Sequence, residues 1–240
     1  MSWIEFRGIN GNDVGVLMPL LPDFHRPKRN VTYAPVSGRD GRLGVDDGTY
    51  DAYQTSMRVD CNGVPLSTVY DWLSGSGWLR ASTEPNRRVK ADLNMQISGS
   101  HFRMAKQACY DTLSVSAYCQ PYRYFYPDEP ADVITDTPHS IRNPGTAPCR
   151  PRITIEALGD VTLMLTDLQS GRTWLMEFEG LTDGVIVDCD MEECLSLDEK
   201  RLLNSIATFD DYPELPSGST AISWSGAVMQ VTVEKRCRDL

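Results

Sequence analysis

The chain has 240 residues, 41% of them hydrophobic, which is enough for one large all-β domain or two smaller ones with packed cores and excludes a disordered chain. Lys and Arg number 23 and Asp and Glu 33, a formal charge of −10 that argues against a nucleic-acid binder, because phosphate affinity comes largely from basic residues displacing counterions. No run of eighteen apolar residues marks a membrane span, and Met1-Ser2-Trp3-Ile4-Glu5 lacks both parts of a signal peptide, so the expectation is a product folded in a cytosol.

The first punctuated stretch is Phe6-Arg7-Gly8-Ile9-Asn10-Gly11-Asn12-Asp13-Val14-Gly15. The next is Ser37-Gly38-Arg39-Asp40-Gly41-Arg42-Leu43, which reads as a tight turn with Asp40 bonding its own backbone and Gly41 at positive φ. Its glycine spacing fails the phosphate-binding loop pattern. Period-two alternation then dominates. Tyr53, Thr55, Met57, Val59 and Cys61 alternate with polar residues, as do Val89, Ala91, Leu93, Met95 and Ile97, and then Leu113, Val115, Ala117 and Cys119. Each predicts a strand with one buried face. Between the first two, Leu66, Val69, Tyr70 and Leu73 predict a short helix that ends at Ser74-Gly75-Ser76-Gly77.

Prolines and acids replace strand alternation after residue 121, which divides the chain into domains 1–130 and 131–240. A second β block follows. Ile153-Thr154-Ile155 and Val161-Thr162-Leu163-Met164-Leu165 flank a turn at Gly159-Asp160. Trp174, Met176 and Phe178 alternate with polar residues and Leu175, Val185-Ile186-Val187 follows, and the last strands are Ala221-Ile222-Ser223-Trp224 and residues 228–233. Short strands spaced by glycine turns predict a β-sandwich. Residues 195–209 look partly helical.

Seven cysteines, widely spaced and without a C-x-x-C, read as reduced and buried thiols, and three scattered histidines complete no zinc pattern. The expected metal and cofactor content is none. Asp188, Asp190, Glu192 and Glu193 are the one acidic cluster that could do glycosidase chemistry or bind a hard cation. Asp188 and Asp190 are two apart, so the plainer reading is a solvated strand face followed by a turn. No nucleophile elbow or Ser-His-Asp set occurs, so no catalytic residue is assigned. Trp174 and Trp224 either fill the core or form a carbohydrate platform.

In order and spacing, the two glycine-punctuated stretches above, together with Trp72-Leu73-Ser74-Gly75-Ser76-Gly77, Cys119-Gln120-Pro121-Tyr122, Asn143-Pro144-Gly145 and Ile222-Ser223-Trp224-Ser225-Gly226, resemble the distal tail protein family of long, non-contractile-tailed bacteriophages. The resemblance implies an all-β fold with an N-terminal ring-forming domain and an outer jelly-roll or galectin-like β-sandwich. It implies a non-enzymatic hub, a ring of six copies at the end of the tail tube, joined to the tube protein, to the tail-associated fibre or lysin and to the receptor-binding protein. It also implies a virion product assembled in the bacterial host cytoplasm, with DNA passing through the channel unbound. Ser37, Gly38, Arg39, Asp40 and Gly41 then become a candidate contact between neighbours in the ring. Thr220 stands where the family more often has asparagine. The other reading is a carbohydrate-binding adhesin that uses Trp174 and Trp224 on the host surface.

Overall fold

The structure is a computed structural model that describes residues 2–94, 97–104 and 108–240. It is almost entirely β, and it divides into two compact units, residues 1–126 with Leu240 and residues 127–239.

In the first unit the elements are β1 (Ile4–Phe6), β2 (Ile9–Asn10), α1 (Gly11–Val14), β3 (Val16–Leu20), β4 (Arg29–Pro35), β5 (Arg42–Tyr50), β6 (Tyr53–Asn62), α2 (Leu66–Trp72), β7 (Ser76–Ala81), β8 (Arg87–Asp92), β9 (Ile97–Met104) and β10 (Ala108–Phe125). The main sheet runs β2-β1-β7-β8-β10-β6-β3, with β9 also on β10. Tyr53, Met57, Val59 and Cys61 on β6 meet Leu113, Val115, Ala117 and Cys119 on β10 in one buried layer, as the alternation requires. The helix forms where expected, but Val69, Trp72 and Leu73 face the core while Tyr70 points to solvent. The indole nitrogen of Trp72 donates to the Ile9 carbonyl at 3.2 Å, which turns this residue inward.

The strand expected over residues 89–97 is interrupted. β8 ends at Asp92, whose carboxylate accepts from the Asn94 amide, and the Asn94 side chain accepts from Gly75. Side chains that take backbone donors stop a ladder that the apolar alternation alone would have continued. Met95 and Gln96 of that expectation lie outside the described residues.

The second unit contains β11 (Asp132–Ile134), β12 (His139–Asn143), β13 (Arg152–Asp167), β14 (Thr173–Leu181), β15 (Gly184–Asp188), β16 (Glu193–Leu195), β17 (Ala207–Thr208) and β18 (Gly218–Glu234). Two strands are longer than the sequence suggested. Gly159-Asp160 does not turn the chain back: β13 runs through it as a bulge, with Gly159 at φ +75° and the Gly180 amide bonded to Asp160. β18 likewise runs through Gly226 at φ +102°, where a Cβ would sit 2.4 Å from the Asp160 carbonyl oxygen. β13 lies between β15 and β18 at its start and between β14 and β18 at its end, so the sheet curls over a core that includes Ile153, Ile155, Leu163, Leu165, Phe178 and Ile222. Within residues 195–209 the helical content is a single 3-10 turn, Asn204–Ile206.

Candidate functional site

Among the described residues, the strands β4 and β5 pair only with each other. Every residue from 32 to 49 is exposed, including Tyr33 at 61% and Val45 at 54%, with Val36 and Leu43 close behind. The root is held by an Arg29–Asp46 ion pair at 2.6 Å, by Asn30 donating to Thr49 at 2.9 Å and by the Tyr50 ring against Tyr122. At the tip, Ser37, Gly38, Arg39, Asp40 and Gly41 form the turn. It closes through the Arg39 amide on the Val36 carbonyl rather than through the Asp40 carboxylate, and Gly38 and Gly41 both take positive φ. An isolated two-stranded ribbon is marginal in water, and its unpaired edges and bare apolar side chains suit a surface that another chain covers.

A second feature lies on the outer face of β7, β8 and β10. Pairing sets Trp78 opposite Lys90 and Tyr124 opposite Arg88. The Trp78 and Tyr124 rings meet edge to face at 5.1 Å, and the Arg88 guanidinium lies 4.4 Å from the Trp78 ring. The row continues through Arg80, which lies 3.9 Å from the Tyr126 ring and 5.1 Å from that of Trp3 and pairs with Glu5 at 2.6 Å. Between Cys119 and Arg123 the β10 register shifts, four residue steps facing two on β8. That bulge pushes Gln120, Pro121 and Tyr122 outward and makes one wall of a groove of about 740 Å³. Trp78, Lys90, Tyr118, Tyr124 and Asp92 line the rest. The apolar alternation legible in the sequence marks the buried residues of β8 and β10. The signal for the groove was in the other alternates, where aromatic and cationic residues repeat.

The acidic cluster is not a solvated face. Asp188 is buried at the end of β15 and accepts two bonds of 2.8 Å from Arg236, along with bonds from the Asp190 and Met191 amides. Burial pushes the Asp188 carboxyl up, but those hydrogen bonds and the Arg236 charge outweigh it and hold the pKa below the ordinary carboxylate range. Asp190 and Glu192 lie in the following turn, where Glu192 takes φ +57° and pairs with Arg150, while Glu193 begins β16. Among the described residues no group of three His, Cys, Asp or Glu could hold a metal ion. Burial raises the Cys61 and Cys119 thiols to about 11 and about 12, which leaves them protonated and inert at neutral pH.

Trp174 is 6% exposed and lies in the second core with Arg172 over its ring at 4.6 Å. Trp224 is half-buried against the same core, on β18 beside Leu163.

No family model matches the sequence, and no curated protein matches it. Among solved structures, the chain is similar to the Dit (gp 19.1) protein of phage SPP1, described as a paradigm of the hub adsorption apparatus in phages that infect Gram-positive hosts. The likeness covers 98% of each chain at a TM-score of 0.71 and 15% identity. It is a likeness of fold that runs through both units, and the fold of this chain is that of the SPP1 Dit protein.

Proposed function

We propose that the chain is the hub of a siphophage tail tip. In this reading six copies close into a ring around an axial channel, with the residue 1–130 half forming the ring and the residue 131–240 half outside it. The ring joins the tail tube protein to the tail-associated fibre or lysin and to the receptor-binding protein, and DNA passes through without specific binding. The protein belongs to the virion tail tip, is assembled in the host cytoplasm and is not an enzyme.

The observation that carries the reading is the end-to-end likeness of both units to a phage hub protein. The hairpin of β4 and β5 adds a physical reason. One chain that uses two unlike surfaces head to tail either closes or grows into a filament, and a bare two-stranded ribbon is a surface in want of a neighbour. Its tip residues Ser37, Gly38, Arg39, Asp40 and Gly41 are the proposed contact loop.

Light scattering coupled to size exclusion, over a range of protein and salt concentrations and with the tail tube and tail-tip proteins added, tests it. The expected result is a six-copy species that images as a ring with a central hole. Tyr33→Ser with Val45→Thr is expected to abolish it and leave a folded monomer. A wild-type protein that stays monomeric in every mixture overturns the reading. Cleavage of cell-wall polymer that Asp188→Asn abolishes overturns the non-enzymatic assignment.

A further inference from the structure

Two cysteines of the second unit, Cys149 and Cys237, are buried side by side as free thiols and hydrogen-bonded to each other. The backbone holds them there. Residues 145–149 and 237–239 run alongside each other. The Ala147 amide donates to the Arg238 carbonyl at 3.2 Å, the Thr146 amide to the Asp239 carboxylate at 2.8 Å, and the Arg238 Nε to the Pro148 carbonyl at 2.6 Å. Gly145 permits the approach, since a Cβ there would sit 2.3 Å from the Arg238 carbonyl oxygen. On its other side Cys149 exchanges two backbone hydrogen bonds of 2.9 Å with Leu215. The residue before Cys237, Arg236, is fixed by its two bonds to Asp188. Neither thiol rides on a free loop.

Their chemistry differs from that of the other cysteines whose side chains are described. Burial raises the thiols of Cys61, Cys119, Cys189 and Cys194. Cys237 is lowered, first by the hydrogen bond from the Cys149 thiol and then, against the effect of burial, by the charge of Lys235. The same hydrogen bond and burial raise Cys149. One sulfur is thus poised as the thiolate and the other as its proton donor, the division of roles in a reactive thiol pair. Cys189 and Cys194 are also neighbours, but there the Tyr212 hydroxyl, not a second thiol, bonds the Cys194 sulfur.

We infer that Cys149 and Cys237 are a site of reversible disulfide formation, closed by a small peroxide and opened by a thiol reductant. The Cys237 thiolate attacks one peroxide oxygen and becomes the sulfenic acid, releasing hydroxide. The Cys149 sulfur then attacks the Cys237 sulfur and loses its proton, and the sulfenic oxygen leaves as water. In sum two thiols are oxidised to one disulfide and one peroxide is reduced to two waters. The bond joins positions 88 residues apart, so it ties the exit of β18 to the entry of β13 and restricts the unfolded chain. The chemistry does not depend on the hub reading. Under that reading the thiols stay reduced in the host cytoplasm and the bond closes after release.

The test treats the full natural chain with dilute hydrogen peroxide, blocks remaining thiols under denaturing conditions, and reads intact mass and a non-reducing peptide map. The expected product has lost two hydrogens, carries a Cys149–Cys237 cross-linked peptide, and returns to its starting mass with dithiothreitol. Cys61, Cys119, Cys189 and Cys194 should still be recovered as blocked thiols. Oxidation should raise the urea midpoint of the second unit. Cys149→Ala and Cys237→Ala should each lose both the cross-link and the rise. Oxygen addition without a cross-link, a cross-link through other cysteines, or an unchanged mass overturns the inference. A midpoint that falls on oxidation also overturns it, because a pair already in place should close without strain.

Discussion

The two units of this chain solve the problem of exposed polar and apolar groups in different ways. The first is nearly neutral in balance and leaves its functional-looking surface open: a bare hairpin and a groove walled by aromatic rings with cations laid across them. The second carries all of the net negative charge and ties several of its carboxylates to named partners, Asp188 to Arg236, Glu192 and Glu214 to Arg150, and Glu199 to Arg152. The net charge of −10 describes neither half. Electrostatic self-repulsion therefore falls on the second unit, and a ring built from the first would bring together surfaces of little net charge.

The largest effect that could break this contrast is a core truncation in one unit. Phe178→Ala should cost about 3–5 kcal/mol, because the ring is fully buried and its cavity cannot collapse. Hydrogen exchange read peptide by peptide should rise across residues 127–239 and stay unchanged in Tyr53–Asn62. Equal loss of protection in both would mean that the units fold as one.

Next in size is the buried ion pair. Asp188→Asn should destabilise the second unit by about 2–3 kcal/mol, since it leaves the Arg236 cation without its carboxylate. The pH dependence has a definite sign. The folded-state pKa of Asp188 is depressed, so its contribution is complete above the unfolded value of about 3.9 and is lost as pH falls through the folded value. Urea midpoints should therefore fall more steeply from pH 5 to acid in the natural protein than in the variant. Parallel curves would show that the pair is not what holds this corner.

Replacing residues 32–49 with a short Asn-Gly turn sharpens the description of the first unit. Its stability should change by no more than about 0.5 kcal/mol, because those residues bury nothing within the unit. A larger drop in the denaturation midpoint would assign the hairpin to the monomer core instead of to a neighbour.

The smallest effect is that of salt. Raising ionic strength should stabilise the second unit by a few tenths of a kcal/mol and leave the first nearly unchanged, since screening relieves repulsion only where charge is in excess. Calorimetry that resolves the two transitions would show it, and equal shifts would deny the charge contrast any energetic weight.

Much of the fold was readable from local pattern. The alternation at Tyr53, Met57, Val59 and Cys61 states which side chains are buried, because successive residues of a strand point to opposite faces. The apolar spacing of Leu66, Val69 and Leu73 likewise locates the second helix, and glycine locates the turn at residues 38–41. The same information is silent on which strand lies beside which. Whether Gly159 ends a strand or bends it depends on Gly226, 67 positions away, lying against Asp160. Asp188 becomes a buried partner instead of a wet carboxylate because Arg236 is brought to it from 48 residues on. The groove exists because pairing places Trp78, Lys90, Arg88 and Tyr124 on one face and a register shift raises Tyr122 beside them. Residue type and period are properties of a short window of chain. Neighbours across a sheet, and hence sites, are settled by long-range pairing that minimises exposed apolar area and unsatisfied hydrogen bonds over the whole unit at once.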